Sequence, residues 1–204
     1  MQNDGIVIVS GLPRSGTSMM MRMLAAGGMP LLTDETRAAD ADNPQGYYEF
    51  EPVKRLEKDA GWVPLATGKA VKVVSFLLEH LPADYQYAVI FMRRAMTEVL
   101  ASQRAMLTRR AAQGEIDAAS VTPERLRAED AQLAATYKRH LRHIHTWLET
   151  QPNVWTLFVE HQVTLQQPGQ TADQVNRFLG GALDEAAMQA AVEPRLYRQR
   201  ASAK

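Results

Sequence analysis

The stretch Gly11-Leu12-Pro13-Arg14-Ser15-Gly16-Thr17-Ser18 combines two glycines, three hydroxyls and one arginine within eight residues. Its glycine spacing is that of the phosphate-binding loop G-x-x-x-x-G-K-[ST], with Ser18 where that motif places its metal-binding hydroxyl and Thr17 in place of the lysine. Such a loop between a strand and a helix turns several backbone N–H groups toward one spot, which the positive end of the helix dipole makes attractive to an anion. The missing lysine argues against ordinary triphosphate chemistry, and Arg14 supplies a cation inside the loop instead. An arginine does not deprotonate and presents a flat fork of donors, which suits a phosphate or sulfate oxygen whose charge grows as a bond breaks. Arg14 is therefore the candidate catalytic residue, and Gly11, Pro13, Arg14, Ser15, Gly16, Thr17 and Ser18 form the candidate anion cradle.

Short apolar runs rich in Val, Ile and Phe read as buried strands at 6–10, 71–74, 87–92 and 154–159. Helical patterns fall between them at 17–26, 52–60, 97 to about 112, 123–150 and 172–179. Thr97 reads as the N-cap of the third helix, with Met96, Val99, Leu100, Met106 and Leu107 on one stripe and Ser102 at its edge. Thr122-Pro123-Glu124 marks the start of the fourth. Strands alternating with helices imply a parallel sheet, and the length with no internal repeat implies one domain over 1–204.

A second cluster lies in Ala88-Val89-Ile90-Phe91-Met92-Arg93-Arg94 and the helix after it, where Arg94 ends a strand and Ser102 follows eight residues later. With Pro13-Arg14-Ser15-Gly16-Thr17-Ser18, this pattern resembles the sulfotransferases that use 3′-phosphoadenosine 5′-phosphosulfate (PAPS). The resemblance implies a P-loop NTPase-like α/β three-layer sandwich with a central parallel sheet of four to five strands. It also implies that the first loop holds the 5′-phosphosulfate, that Arg94 and Ser102 hold the 3′-phosphate, and that the product is 3′,5′-ADP with no metal required. Val71-Lys72-Val73 and the segment from Thr156 to Gly181 extend the likeness over most of the chain, and Arg198 and Arg200 near the C-terminus could close over the 3′-phosphate as basic tail residues of the family do, although the pattern around them departs from the family's.

Sulfuryl transfer to a hydroxyl needs a base for the acceptor's proton. The family's Lys-Thr-His segment is replaced by Lys72-Val73-Val74-Ser75, and His80 reads as a turn residue before Leu81-Pro82. Asp34-Glu35-Thr36-Arg37 resembles the Glu-Glu-Thr-Arg segment of tyrosylprotein sulfotransferases, which makes Glu35 the leading base and gives Arg37 an orienting role. A solvated loop acid is the competing reading of Glu35. Glu49 is the alternative base, ahead of Glu51, because the aromatics Tyr47, Tyr48 and Phe50 beside it could line an acceptor pocket. Glu160 reads as structural. His140, His143 and His145 share a helix with Lys138, Arg139 and Arg142, with no carboxylate in the run, which favours a solvated face over a metal site.

The 23 basic and 23 acidic side chains give no net charge, and nothing in the composition points to nucleic acid. The absence of cysteine excludes disulfides and thiolate chemistry and fits a cytoplasmic location. No apolar run approaches bilayer length or has a signal-peptide flank, so a soluble, unprocessed protein with no membrane partner is expected. The expected function is sulfuryl transfer from PAPS to a small-molecule or peptide hydroxyl; the composition leaves the oligomeric state open. The alternatives are a P-loop kinase or NTPase, with Ser18 on magnesium and Glu160 as its acid, and a nucleotide-binding protein without catalysis.

Overall fold

The computed structural model describes residues 5–34 and 46–193. Among these, four parallel strands, β1 (Ile6–Gly11), β2 (Ala70–Lys72), β3 (Tyr87–Arg93) and β4 (Val154–Glu160), form one sheet in the order β2-β1-β3-β4. Helices α1 (Thr17–Ala26), α2 (Met96–Ala112), α3 (Pro123–Thr150), α4 (His161–Gln166), α5 (Pro168–Leu179) and α6 (Glu185–Ala190) complete the described regular structure with several 3-10 turns.

The period of two along β1 and β3 divides their side chains between two cores. Ile6, Ile8, Tyr87, Val89 and Phe91 pack with Ile144 and Leu148 of α3 and with Val53, Leu56 and Trp62. Val7, Val9, Ala88, Ile90 and Met92 pack on the other face with Met20, Met21, Met23 and Leu24 of α1, and with α5 and α6. Strands covered on both faces read as continuous apolar runs, and each large side chain so buried contributes about 1.5–3 kcal/mol. Tyr87 sits wholly inside; its hydroxyl donates to the Pro82 carbonyl at 2.9 Å, and burial pushes its pKa well above the usual phenol value.

The sequence boundaries hold for α1 and α3, and Thr122 caps α3 by accepting from the Arg125 N–H. Elsewhere they shift. β2 ends at Lys72 because the chain then turns to bury Ser75 and Leu78 in a 3-10 segment, Ser75–His80. The helix expected over 52–60 is only a 3-10 turn, Glu51–Arg55, whose buried Val53 and the buried Leu56 just past it are three residues apart, the spacing a 3-10 turn aligns on one side. α2 is capped at Ala95 without a side-chain bond, so Thr97 is not its N-cap; Glu98 supplies the first-turn acid. Ser102 is buried, whereas Met106 and Leu107 are only half-buried. α5 begins at Pro168, which serves as a first-turn proline.

The register brings the strand ends to one edge. Gly11 pairs with Met92, Val9 with Lys72, and Arg93 with Glu160. The chain leaves β1 toward β2 on one side and reaches β3 on the other, and ligands of open parallel sheets bind outside the carboxyl ends at such a reversal.

Candidate functional site

The loop after β1 owes its path to its two glycines. Gly11 has φ 147°, and a Cβ there would lie 2.4 Å from Ser15 Oγ and 2.6 Å from the Met92 carbonyl oxygen. Gly16, at φ 103°, is the N-cap of α1, and a Cβ there would lie 2.5 Å from His161 Cδ2. Arg14 also takes a positive φ, 68°, a conformation that non-glycine residues adopt at some cost and that marks a constrained turn. The turn closes with the Ser15 N–H donating to the Leu12 carbonyl at 3.1 Å.

This loop fits an anion on two observations. α1 starts with no side-chain cap and no acid in its first turn, so its N-terminal N–H groups keep their positive potential. Ser15 Oγ is buried without a hydrogen-bond partner among the described residues, a costly state for a hydroxyl that a phosphate or sulfate oxygen would relieve. Pro13, Thr17 and Ser18 are half-buried around it. Ser18 Oγ donates to the Tyr47 carbonyl at 3.3 Å.

The two sequence motifs meet here. Arg14 Nε donates to Ser102 Oγ at 3.0 Å, and Arg94 Nη1 donates to the Arg14 carbonyl at 2.9 Å. Arg94 is itself aimed by Glu98, one helical turn on, at 3.0 Å between Nε and Oε2, with side chains only 9% and 4% exposed. Arg93 points elsewhere, to an ion pair with Glu160 at 3.2 Å in which both side chains are half exposed. A cavity of about 400 Å³ adjoins the site, lined by Leu12, Ser15, Arg94, Glu98, Lys138 and His145 among others.

On the opposite side, Lys72 at the end of β2 donates to the Tyr47 carbonyl and pairs with Glu49 Oε1 at 3.5 Å. Glu49 is also 3.8 Å from Lys54, whereas Glu51 is exposed and bonded to Lys54 at 2.7 Å. Glu49 thus sits at the sheet edge that carries the loop. Glu35 and Arg37 lie outside the described residues, as do Arg198 and Arg200. Asp34 bridges to the Glu49 segment, its N–H donating to the Glu49 carbonyl at 2.9 Å.

The three histidines of α3 do not form the solvated face expected of them. His140 is half-buried, stacked on Phe76 at 3.9 Å and bonded to Ser75 Oγ at 2.9 Å, and burial lowers its pKa against the opposing Glu79. His145 is half-buried edge-on to Phe91 and Phe158, its pKa lowered by burial and by Arg93. Only His143 is exposed, 2.7 Å from Glu79. The helix turns His140 onto the 3-10 segment Ser75–His80 and His145 onto β3 and β4, which the polar residues between them conceal in the sequence. His80 ends its 3-10 turn, exposed.

Sequence reasoning did not select Lys72, Glu98 or His161. Glu98 was findable as an acid four residues after Arg94, and Lys72 as the last residue of a strand. His161 reaches Gly16 only through the fold and left no local signal.

A family model described as "Sulfotransferase domain" matches residues 4–199. No curated protein gives a significant match. Among solved structures, the chain is similar to sulfotransferase STF9 from Mycobacterium avium at 12% identity and TM-score 0.52, covering 93% of this chain and 68% of that one. The chain is also similar to a sulfotransferase domain from the curacin biosynthetic pathway, at 13% identity and TM-score 0.49, covering 98% of this chain and 93% of that one. At these identities the STF9 likeness shows the fold.

Proposed function

Because this chain belongs to the sulfotransferase domain family, whose reaction is sulfuryl transfer, we propose that it uses PAPS as donor and a small-molecule or peptide hydroxyl as acceptor, without a metal. The observation that carries this reading is the convergence of Arg14, Arg94 and Ser102, from two distant segments, on one uncapped helix N-terminus.

PAPS would supply the activated sulfuryl group. The loop N–H groups and Ser15 hold the 5′ end, Arg94 and Ser102 receive the 3′-phosphate, and Arg14 neutralises charge on the oxygen that keeps the electrons when the S–O bond to the 5′-phosphate breaks. A new S–O bond forms to the acceptor, whose proton passes to a carboxylate. Glu35 and Glu49 are the candidates. Glu49 is supported by its contact with Lys72, which fixes its carboxylate beside the loop. We place this chemistry in one domain in the reducing cytoplasm, which suits a chain without cysteine.

Titration calorimetry with 3′,5′-ADP and with ATP tests the donor. Tighter binding of 3′,5′-ADP that weakens in Arg94→Ala and Ser102→Ala is expected; tighter ATP binding, indifferent to both, overturns the proposal. Sulfate transfer from labelled PAPS across phenols, peptides and sugars, with Glu35→Gln and Glu49→Gln beside the native chain, identifies the base.

A further inference from the structure

His161 opens α4, directly after Glu160 at the end of β4. It is 7% exposed, and its ring fills the space where a side chain on Gly16 would begin, with Cδ2 2.5 Å from that position. Gly16 is the residue that turns the loop into α1. Arg94 and Glu98 lie close enough to act on the ring's protonation in opposite senses. Burial is the larger influence, and together these lower the pKa to about 4, so the ring is neutral at physiological pH. One uncharged ring therefore abuts the glycine that shapes the first anion cradle and neighbours the ion pair that aims the second.

We propose that His161 is a positioning residue that fixes the spacing between the loop at Gly16 and the Arg94–Glu98 pair, so that one nucleotide carrying both a 5′- and a 3′-phosphate can engage the two cradles together. This rests on the PAPS reading above. Close-packed interiors transmit displacement, so a void at position 161 lets Gly16 and Arg94 settle independently. A ligand with one phosphate tolerates that freedom because it uses one cradle, whereas a bisphosphate must order both and loses the benefit of preorganisation.

The test is calorimetry with 3′,5′-ADP, 5′-AMP and 3′-AMP at pH 7.5 on the native chain, His161→Ala and His161→Phe. His161→Ala should weaken 3′,5′-ADP about tenfold and each monophosphate about threefold or less, as expected for lost registration rather than a lost contact. His161→Phe, which keeps a flat ring against Gly16, should restore 3′,5′-ADP affinity to within about threefold. If His161→Ala has no cooperative unfolding transition, His161→Val replaces it, since its smaller side chain still leaves a void beside Gly16, and a smaller loss that again falls mainly on the bisphosphate is expected. An unchanged ratio of bisphosphate to monophosphate affinity in the folded variant overturns the inference. Failure of the native chain to bind 3′,5′-ADP is a different result and overturns the PAPS reading instead.

Discussion

Arg14 Nε and Ser102 Oγ are 3.0 Å apart across 88 residues of sequence, joining the loop after β1 to the second turn of the helix after β3. The hydroxyl restrains the guanidinium, so the two residues act as a unit and their losses should not add. Ser102→Ala is expected to weaken 3′,5′-ADP by about ten- to a hundredfold, the worth of a hydrogen bond to a charged group. Arg14→Ala should reduce kcat by about a hundredfold or more, because its charge acts where charge develops. The double variant should fall short of the product of the two losses in both calorimetry and transfer rate.

Gly11 is the least replaceable residue of the loop. A Cβ at this position meets a backbone oxygen, that of Met92, which cannot swing aside as a side chain would, and the φ of 147° adds strain. Gly11→Ala should cost about 3 kcal/mol or more from overpacking and strain together. In a thermal melt this corresponds to a fall of roughly 6–12 °C for a chain of this size. An unchanged melting temperature would mean that the loop is free to move away from β3.

Much of the site was legible because its residues stand at fixed offsets from strand ends. Gly11 and Gly16 follow β1, and Arg94 and Ser102 follow β3, so spacing alone places them at one edge of a parallel sheet. α1 and α3 were legible from their apolar pattern, and α3 also from its Thr122-Pro123 start. α4 and α6 are six residues each, too short to show a helical period. The contacts of Lys72 with Glu49 and of His161 with Gly16 join residues from different layers, and neither has a periodic signature. The half-buried His140 and His145 escape the sequence for a related reason: a helix's charged neighbours do not reveal which of its faces the rest of the fold will cover.

Two ion pairs at the ends of β3 and β4 should differ widely in worth. The Arg94–Glu98 pair is almost wholly buried, so removing the carboxylate leaves a buried guanidinium without its aiming charge. Breaking such a pair costs about 3–5 kcal/mol. The Arg93–Glu160 pair is half exposed, and solvent-exposed pairs contribute about 1 kcal/mol or less. Urea unfolding of Glu98→Gln and Glu160→Gln should show this contrast, and Glu98→Gln should also weaken 3′,5′-ADP. Equal, small effects would place Glu98 in water.

The acid sensitivity of the fold should trace in part to His161. In the folded chain burial and Arg94 hold its pKa near 4, whereas the unfolded chain protonates it near the ordinary 6.5. Between those values the unfolded state takes up a proton that the folded state refuses, so stability is fully present above about pH 6.5 and declines as the pH falls toward 4. From pH 7.5 to 4.5 the linked loss is roughly 2–3 kcal/mol. His161→Phe cannot titrate, so its urea stability should fall by that much less over the same interval. If the native chain and His161→Phe lose stability in parallel, the imidazole protonates equally well folded and unfolded, and the ring is not sealed beneath Gly16.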